Sequence, residues 1–302
     1  MRELPYLLRR ALFASFDDGL FTIAKGAAYS ALLSLFPVLA TAATVLVQTH
    51  ADFVQRNLTS FLSAVLPPGT ADVVLEQFHY RGQRPLALLI VAVILSFWAA
   101  SSVIKSLIDG FNAAYRVPRN RTILGHAAMG MLLAVLALLP LFAATSLILF
   151  GGAVERGVQK VMRLDPNLHP FVGAWGILWR LVRYTVAFAA TSSVTAILYH
   201  YGPYRKQLWR AVWPGAIMAT TLWLLATLGF GWYVRNITNY NVLYGSVGTS
   251  IALLIWMYLL AAIALFGCEF NAEAERIELT RELIRRAAEK KTATEKPGVI
   301  PV

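Results

Sequence analysis

The sequence has little of the material from which soluble domains build their surfaces. Only 14% of its 302 residues are charged, whereas 58% are hydrophobic. A typical soluble domain has about a quarter of its residues charged and about half apolar. A soluble fold could not bury so much apolar surface, but lipid can cover it. The composition therefore predicts a membrane protein.

Cysteine is almost absent, since Cys268 is the only one in the sequence. A single cysteine can form neither an intrachain disulfide nor a zinc site of the C-x-x-C type. Cys268 stands inside an apolar run, and we interpret it as a small core residue.

Recognisable catalytic motifs are also lacking. The sequence has no HExxH, no GxSxG and no phosphate-binding loop of the Walker type. Its histidines are scattered along the chain, at His50, His79, His126, His169 and His200. We therefore expect no enzymatic activity, no cofactor and no metal site.

Acidic residues are scarce beside basic ones, at 16 against 27, which gives a formal net charge of +11. In a soluble protein this excess would suggest nucleic-acid binding. Here the basic residues lie between apolar segments, which favours contacts with anionic lipid headgroups on the cytoplasmic side. We expect membrane lipids and no nucleic acid as partners, and homo-oligomerisation stays open.

Long apolar runs are what the sequence has in abundance. A membrane-spanning helix needs about 20 apolar residues, whereas the strands of a β-barrel are shorter and alternate in polarity. The sequence thus predicts an all-α membrane protein, a bundle of about six transmembrane helices with amphipathic flanking helices. The predicted spans lie near residues 24–47, 86–108, 127–151, 176–200, 211–233 and 246–270.

The predicted organisation has three parts. Residues 1–23 are expected to form a cytoplasmic amphipathic segment, 24–271 the transmembrane domain, and 272–302 a cytoplasmic basic helix with a disordered tail. When both termini and the even-numbered loops share one side, Lys and Arg on that side outnumber those on the other by two to one. Because cytoplasmic loops are enriched in Lys and Arg, we expect both termini in the cytoplasm.

Polar residues inside or beside the spans are candidates for function, because polar groups are expensive in lipid and usually face inward. We hypothesise one intramembrane cluster between the first, second and sixth spans. The alternative is that each side chain extends separately to the lipid headgroups. The cluster comprises Lys25, Lys105, Asp109, Glu269 and Asn271.

A second polar group precedes and opens the sixth span. Its richness in Asn, Tyr and Gly suggests either an external gate or a tight turn between helices. The residues concerned are Arg235, Asn239, Asn241, Tyr244, Gly245, Ser246 and Gly248. Pro37 and Pro140 stand inside spans, where proline can kink a helix.

Three stretches, 24–40, 96–121 and 213–273, resemble the YihY/BrkB family of bacterial inner-membrane proteins. The resemblance covers about residues 10–280 and is most specific in the last stretch. By position, the residues that match its motifs are Tyr29, Pro37, Lys105, Asn112, Tyr115, Arg121, Pro214, Asn241, Tyr244, Gly245, Ser246, Gly248, Glu269 and Asn271.

The resemblance implies a six-helix bundle in the bacterial inner membrane and says less about activity. Members have been labelled ribonuclease BN or virulence factor, and transport of lipids or other envelope components has been suggested for relatives. No cluster of metal-binding residues supports the ribonuclease label here.

Two functions remain in view. A transporter of lipids or other envelope amphiphiles should have an interhelical cavity lined by Lys105 and Glu269. The alternative is a membrane-embedded scaffold or interaction protein, which should have a tightly packed bundle. An intramembrane enzyme is the weakest hypothesis, because no pair of nucleophile and base can be named.

Overall fold

The computed structural model describes residues 4–49, 86–118, 122–138, 140, 171–236 and 245–294. Every regular element within these residues is an α-helix, which confirms the predicted fold class. In chain order these elements are α1 (Leu4–Asp17), α2 (Leu20–Thr49), α3 (Leu86–Ala114), α4 (Ile123–Leu138), α5 (Phe171–Tyr201), α6 (Trp209–Asn236) and α7 (Gly245–Thr294).

Five of these helices, α2, α3, α5, α6 and α7, are long and apolar enough to cross a membrane. They coincide with five of the six predicted spans. Helix α4 begins the remaining one, and most of residues 139–151 lie outside the described part of the chain. Large apolar side chains are exposed along the spans, as at Ile94 and Trp98 of α3, so the helices present them outward. The protein is a multi-pass membrane protein.

A two-residue turn joins α1 to α2. Gly19 adopts a left-handed backbone conformation with φ of +68°, which glycine accepts without steric cost. The Gly19 N–H donates to the Phe16 carbonyl at 3.1 Å, and the Gly19 carbonyl accepts from the Ile23 N–H at 3.2 Å. Because the turn is so short, α1 stays beside the start of the first span.

Helix α7 continues far beyond the predicted end of the sixth span at residue 270. It runs without interruption to Thr294, over 50 residues in all. The segment after Phe270 contains neither glycine nor proline and is rich in Ala, Glu, Arg and Leu, which are strong helix formers. The predicted basic flanking helix is therefore an extension of the last span.

Contacts between helix ends place several connections at one end of the bundle. The Asp18 turn contacts Arg116 after α3, Asn112 contacts Tyr204 after α5, and Asn271 of α7 contacts α6 near its start. We call this the charged end: α1, the turn after α3, the connection 202–208 and α7 from Glu269 to Arg276. The helices thus run alternately up and down.

Helices α6 and α7 cross in backbone contact. A Cβ atom added to Gly215 would lie 2.1 Å from the Gly267 carbonyl oxygen, so only glycine permits this approach. Ala219 of α6 continues the same small-residue interface, because a Cβ atom added to Gly267 would lie 2.8 Å from its methyl group. Small residues that let backbones approach closely are typical of contacts between membrane helices.

We predict that Gly215→Ala destabilises the protein. The added methyl group must push α6 away from α7, and such overpacking costs about 1–3 kcal/mol. Thermal unfolding in detergent, followed by tryptophan fluorescence, measures the effect as a lower Tm. Gly229→Ala is the matched control, because it lies in the same helix with open space around it. Equal Tm values for both variants would contradict the close crossing.

Candidate functional site

Arg276 lies at the centre of the charged end. Glu269, Glu273 and Arg276 are spaced i, i+4 and i+7, which places them on one face of α7. The Arg276 Nη1 donates to Glu269 Oε1 at 3.1 Å and also to Glu273. Its Nη2 donates to the Ala114 carbonyl at the end of α3. One guanidinium therefore joins two carboxylates of α7 to the end of another helix.

The end of α3 is shaped to provide that carbonyl. Arg116 has a left-handed backbone with φ of 53°, its N–H donates to the Ala113 carbonyl, and the Val117 N–H donates to the Asn112 carbonyl. This hydrogen-bond pattern is the Schellman motif that ends helices. The last carbonyls of a helix have no partner within it, and Arg276 supplies one to Ala114.

Two further ion pairs connect α1, and the turn that follows it, to the charged end. Arg10 of α1 pairs with Glu273, which is almost fully buried. The Arg116 Nε lies 3.0 and 3.2 Å from the two carboxylate oxygens of Asp18, and this hydrogen bonding raises the pKa of Arg116. We call these six residues the ion-pair network: Arg10, Asp18, Arg116, Glu269, Glu273 and Arg276.

Glu269 is the most secluded member of the network. Its side chain is fully buried near the end of the predicted sixth span, whereas that of Arg276 is 23% exposed. Arg276 binds only one of its carboxylate oxygens, and Glu269 Oε2 has no hydrogen-bond partner among the described residues. Burying a carboxylate is costly unless it is paired, so Glu269 depends on Arg276.

Asn271 connects α7 to the first turns of α6. Its Oδ1 accepts from the Gly215 N–H at 2.7 Å, and its Nδ2 donates to the Val212 carbonyl at 2.9 Å. Pro214 lies between these two residues and has no N–H to donate within α6. Asn271 thus holds the two helices together beside the Gly215–Gly267 crossing.

The connection 202–208 forms a second polar group at the charged end. Asn112 Oδ1 accepts from the Tyr204 N–H at 2.8 Å, and the Tyr204 hydroxyl contacts His126 of α4. Arg205 pairs with Glu275 and lies 5.1 Å above the centre of the Tyr115 ring. Burial raises the pKa of Tyr115, so the ring stays neutral beneath the cation. This group links α3, α4, α5 and α7.

Two cavities open at the charged end. One, of about 450 Å³, lies between α1 and α7 and is lined by Tyr6, Arg9, Arg10, Phe13, Ala14, Asp17, Arg116, Glu273 and Arg276. The other, of about 490 Å³, lies beside the connection 202–208 and is lined by Met129, His200, Tyr201, Pro203, Tyr204, Arg205, Lys206 and Gln207. Lys105 and Glu269 line neither of them.

The structure does not bring the five residues of the predicted intramembrane cluster into mutual contact. Glu269 and Asn271 lie on α7, and the Glu269 ion pair is with Arg276. Lys105 packs its aliphatic stem against Gly130 of α4, and Asp109 lies 3.8 Å from His126 Nε2. Lys25 is exposed and, like Lys105, makes no ion pair with any described residue.

The predicted external group is described only in part. Arg235 lies in the last turn of α6, and Gly245, Ser246 and Gly248 lie in the first turn of α7. Asn239, Asn241 and Tyr244 lie outside the described residues, so the gate or turn remains a prediction. Pro37 is inside α2, and Pro140 follows the described end of α4.

Sequence reasoning missed most of the ion-pair network. Glu269 was a candidate, and Glu273 was visible just after it. Arg276 could have been found from its i+7 spacing to Glu269, because that spacing places both on one helix face. Arg10, Asp18 and Arg116 come from distant parts of the chain, and no spacing links them.

Among the described residues, no group of three or more His, Cys, Asp or Glu could hold a metal ion.

Comparison with known proteins places this arrangement in a family. The family model described as virulence factor BrkB matches residues 14–292. This range includes α2 to α6, α7 as far as residue 292, and the charged end except residues 4–13 of α1. The chain belongs to the BrkB family. The resemblance noted from the sequence is thereby confirmed.

Curated relatives of this BrkB-family chain carry two kinds of name. A ribonuclease-like protein, YfkH, of Bacillus subtilis (strain 168) is 29% identical over 252 residues, covering 81% of this chain and 86% of the relative. The UPF0761 membrane protein PSHAa0171 of Pseudoalteromonas translucida (strain TAC 125) is 28% identical over 289 residues, covering 94% and 91%. The UPF0761 membrane protein Bxeno_A3061 of Paraburkholderia xenovorans (strain LB400) is 29% identical over 275 residues, covering 88% and 59%. No solved structure matches this chain.

We predict that Arg276→Gln strongly destabilises this BrkB-family protein. The change leaves Glu269 as an uncompensated buried charge, and breaking a buried ion pair in this way costs about 3–5 kcal/mol. Thermal unfolding in detergent measures the loss. The double variant Glu269→Gln/Arg276→Gln should recover part of it, because the buried charge is then removed as well.

Arg285→Gln is the matched control for this experiment. Arg285 pairs with Glu289 on the exposed extension of α7, with side chains 81% and 62% exposed. Exposed ion pairs contribute about 1 kcal/mol or less, so this variant should unfold close to the unmodified protein. If Arg276→Gln unfolds at the same temperature as Arg285→Gln, the network does not support the fold.

Proposed function

We propose that this BrkB-family membrane protein transports an amphiphile, a lipid or another envelope component, along an interhelical path that the ion-pair network closes. The observation that carries the proposal is the fully buried Glu269 with its single partner Arg276. Ionisable residues within membrane spans are rare and often belong to substrate or ion pathways. Apolar residues in their place would commonly make a protein equally stable or more stable.

The contacts of α7 suggest which parts move. Backbone contact at Gly215 and Gly267 fixes α6 to α7. Arg10 and the Ala114 carbonyl hold α1 and the end of α3 to α7 through polar contacts, whereas Gly110, farther back in α3, packs closely against Leu265 of α7. When helices separate, water or lipid headgroups can replace their polar contacts. They cannot replace the van der Waals contacts of a tightly packed crossing. In the proposed transport step, Arg276 releases Ala114, and α1 and the end of α3 move away from the α6–α7 pair.

Under this proposal the charged end faces the cytoplasm of a bacterial cell, in the inner membrane. The support is the excess of Lys and Arg on this side, which is the usual mark of cytoplasmic loops. A reporter fused in the 202–208 connection should then behave as cytoplasmic. A reporter that behaves as exported at this position would reverse the orientation.

A scaffold that transports nothing is the second candidate function. The observation in its favour is the extension of α7, where Leu279, Leu283 and Ile284 are exposed between charged residues. Exposed apolar side chains on a protruding helix are typical of a surface that binds another protein. A scaffold requires the extension, whereas a transporter requires the buried ion pair.

The test of transport uses the full chain reconstituted in vesicles of phosphatidylethanolamine and phosphatidylglycerol that contain fluorescently labelled phosphatidylglycerol. A membrane-impermeant reductant destroys the fluorescence of the outer leaflet, so passage from the inner leaflet is measured as further loss. We expect faster loss with the protein than in empty vesicles. We expect Glu269→Gln to reduce the rate without loss of folded protein, because it removes the buried charge that Arg276 holds.

Arg285→Gln again serves as the control and should transport at the normal rate. The measurement is repeated with an imposed pH gradient and with an imposed membrane potential, because the chain has no nucleotide-binding motif. The three conditions are no gradient, a pH gradient and a membrane potential. If the protein does not speed the loss of fluorescence under any of them, lipid transport is overturned. A deletion of residues 279–294 that abolishes function in cells, with no transport by the intact protein, would favour the scaffold.

A further inference from the structure

Helix α1 exposes several large apolar side chains on the side that a helix packed in a soluble domain would leave polar. The residues that it buries against the bundle are small: Ala11, Ala14 and Ser15. The opposite side exposes Leu12, Phe13 and Phe16, which are 44%, 57% and 63% accessible. Tyr6 and Arg9 are also exposed, and together with Phe13 they line the open cavity between α1 and α7. Among the described residues, no element covers Leu12, Phe13 and Phe16 completely, and each keeps at least 44% of its accessible surface.

We propose that this outward face of α1 lies in the lipid interface of the membrane, with Leu12, Phe13 and Phe16 against the acyl chains. Amphipathic helices that combine aromatic and basic residues insert in this way, parallel to the membrane plane. The proposal concerns how α1 is positioned, and it does not depend on whether the protein transports a lipid.

The connection to α2 keeps α1 at the membrane. Only the Asp18–Gly19 turn separates α1 from a helix that crosses the bilayer. Phe16 on the outward face contacts Phe21 at the start of α2, with ring centres 4.6 Å apart. Further along α2, Tyr29 and Leu33 are exposed as membrane-facing side chains. The apolar face of α1 therefore continues the lipid-facing surface of the first span.

Arg9 supplies the polar partner for the headgroups. Its guanidinium carbon lies 5.7 Å from the centre of the Phe13 ring, and it pairs with no carboxylate among the described residues. Arg10, one residue later, is instead paired with Glu273. Arg9 thus has its charge available for a lipid phosphate, while Arg10 holds the other side of α1 to α7. Arginine binds phosphate well because its planar guanidinium can donate two parallel hydrogen bonds.

The experiment places a nitroxide label at positions 12, 13 and 16 in turn, in the full chain reconstituted in phosphatidylethanolamine and phosphatidylglycerol vesicles. Cys268 is replaced by Ala to leave one reactive thiol. Power-saturation spectroscopy then compares collisions with oxygen, which concentrates in lipid, and with a water-soluble nickel chelate. Ile94→Cys on α3 is the lipid reference, and Glu282→Cys on the α7 extension is the water reference.

We expect all three α1 labels to show an oxygen-to-nickel collision ratio several-fold above that at position 282 and closer to that at position 94. Ratios equal to that at position 282 would place the face in water and overturn the proposal. Protection from both reagents, with dipolar broadening between labels, would show that a second copy of the chain covers it instead, which also overturns the proposal.

Arg9→Glu tests the headgroup contact separately. The reversed charge should repel anionic phosphatidylglycerol and shift the label at position 13 toward the water reference. Arg281→Glu makes the same charge change on the exposed α7 extension and should leave that label unchanged. An unchanged label in Arg9→Glu would remove Arg9 from the proposed contact.

Discussion

The pairing of Arg276 with the buried carboxylates of α7 organises the charged end. Glu269 and Glu273 cannot be buried as anions without a cation, and Arg276 provides the charge and the donors for both. The same guanidinium also donates a hydrogen bond to the Ala114 carbonyl, which has no partner within α3. Helices α1, α3 and α7 meet here, because Arg276 joins α7 to α3 and Arg10 joins α1 to Glu273. A lysine could not replace it, because the ammonium lacks the planar arrangement of several donors.

Two kinds of helix contact coexist in the bundle, and they differ in what they permit. At Gly215 and Gly267 the backbones touch, so any change in the crossing requires the helices to separate. At Arg276 and Glu273 the contacts are ionic, and the Arg276 side chain is 23% exposed, so other polar groups can compete for its donors. A rigid pair of helices beside a polar contact is a suitable arrangement for a membrane protein that changes shape.

The outer surface follows the physics of lipid rather than that of water. In a soluble protein the side chains of α1 would be reversed, with Phe13 and Phe16 inside and Ala11 and Ala14 outside. Here small residues face the bundle, because they allow α1 to approach α7 closely enough for Arg10 to reach Glu273. The large side chains remain outside. Burial alone is therefore a poor guide to which residues matter in this fold.

The sequence by itself determined the membrane class and indicated where the five long apolar helices of the described residues lie. Both follow from local composition, since a run of about 20 apolar residues is stable as a helix in lipid whatever its neighbours are. It also identified Glu269 and Asn271 as candidates, because polar residues in such runs are costly. The composition after Phe270 also predicts a helix, and because that segment has neither glycine nor proline, the helix continues the span.

Only the tertiary structure decided which polar residues meet. Lys25, Lys105 and Glu269 are all near the same end of their spans, so depth alone suggested one cluster. Yet the Lys105 stem lies against Gly130 of α4, whereas Glu269 pairs with Arg276. Rotation of each helix about its axis decides such partners. That rotation depends on packing, as at Gly215 and Gly267, between residues far apart in the chain, and no local pattern encodes it.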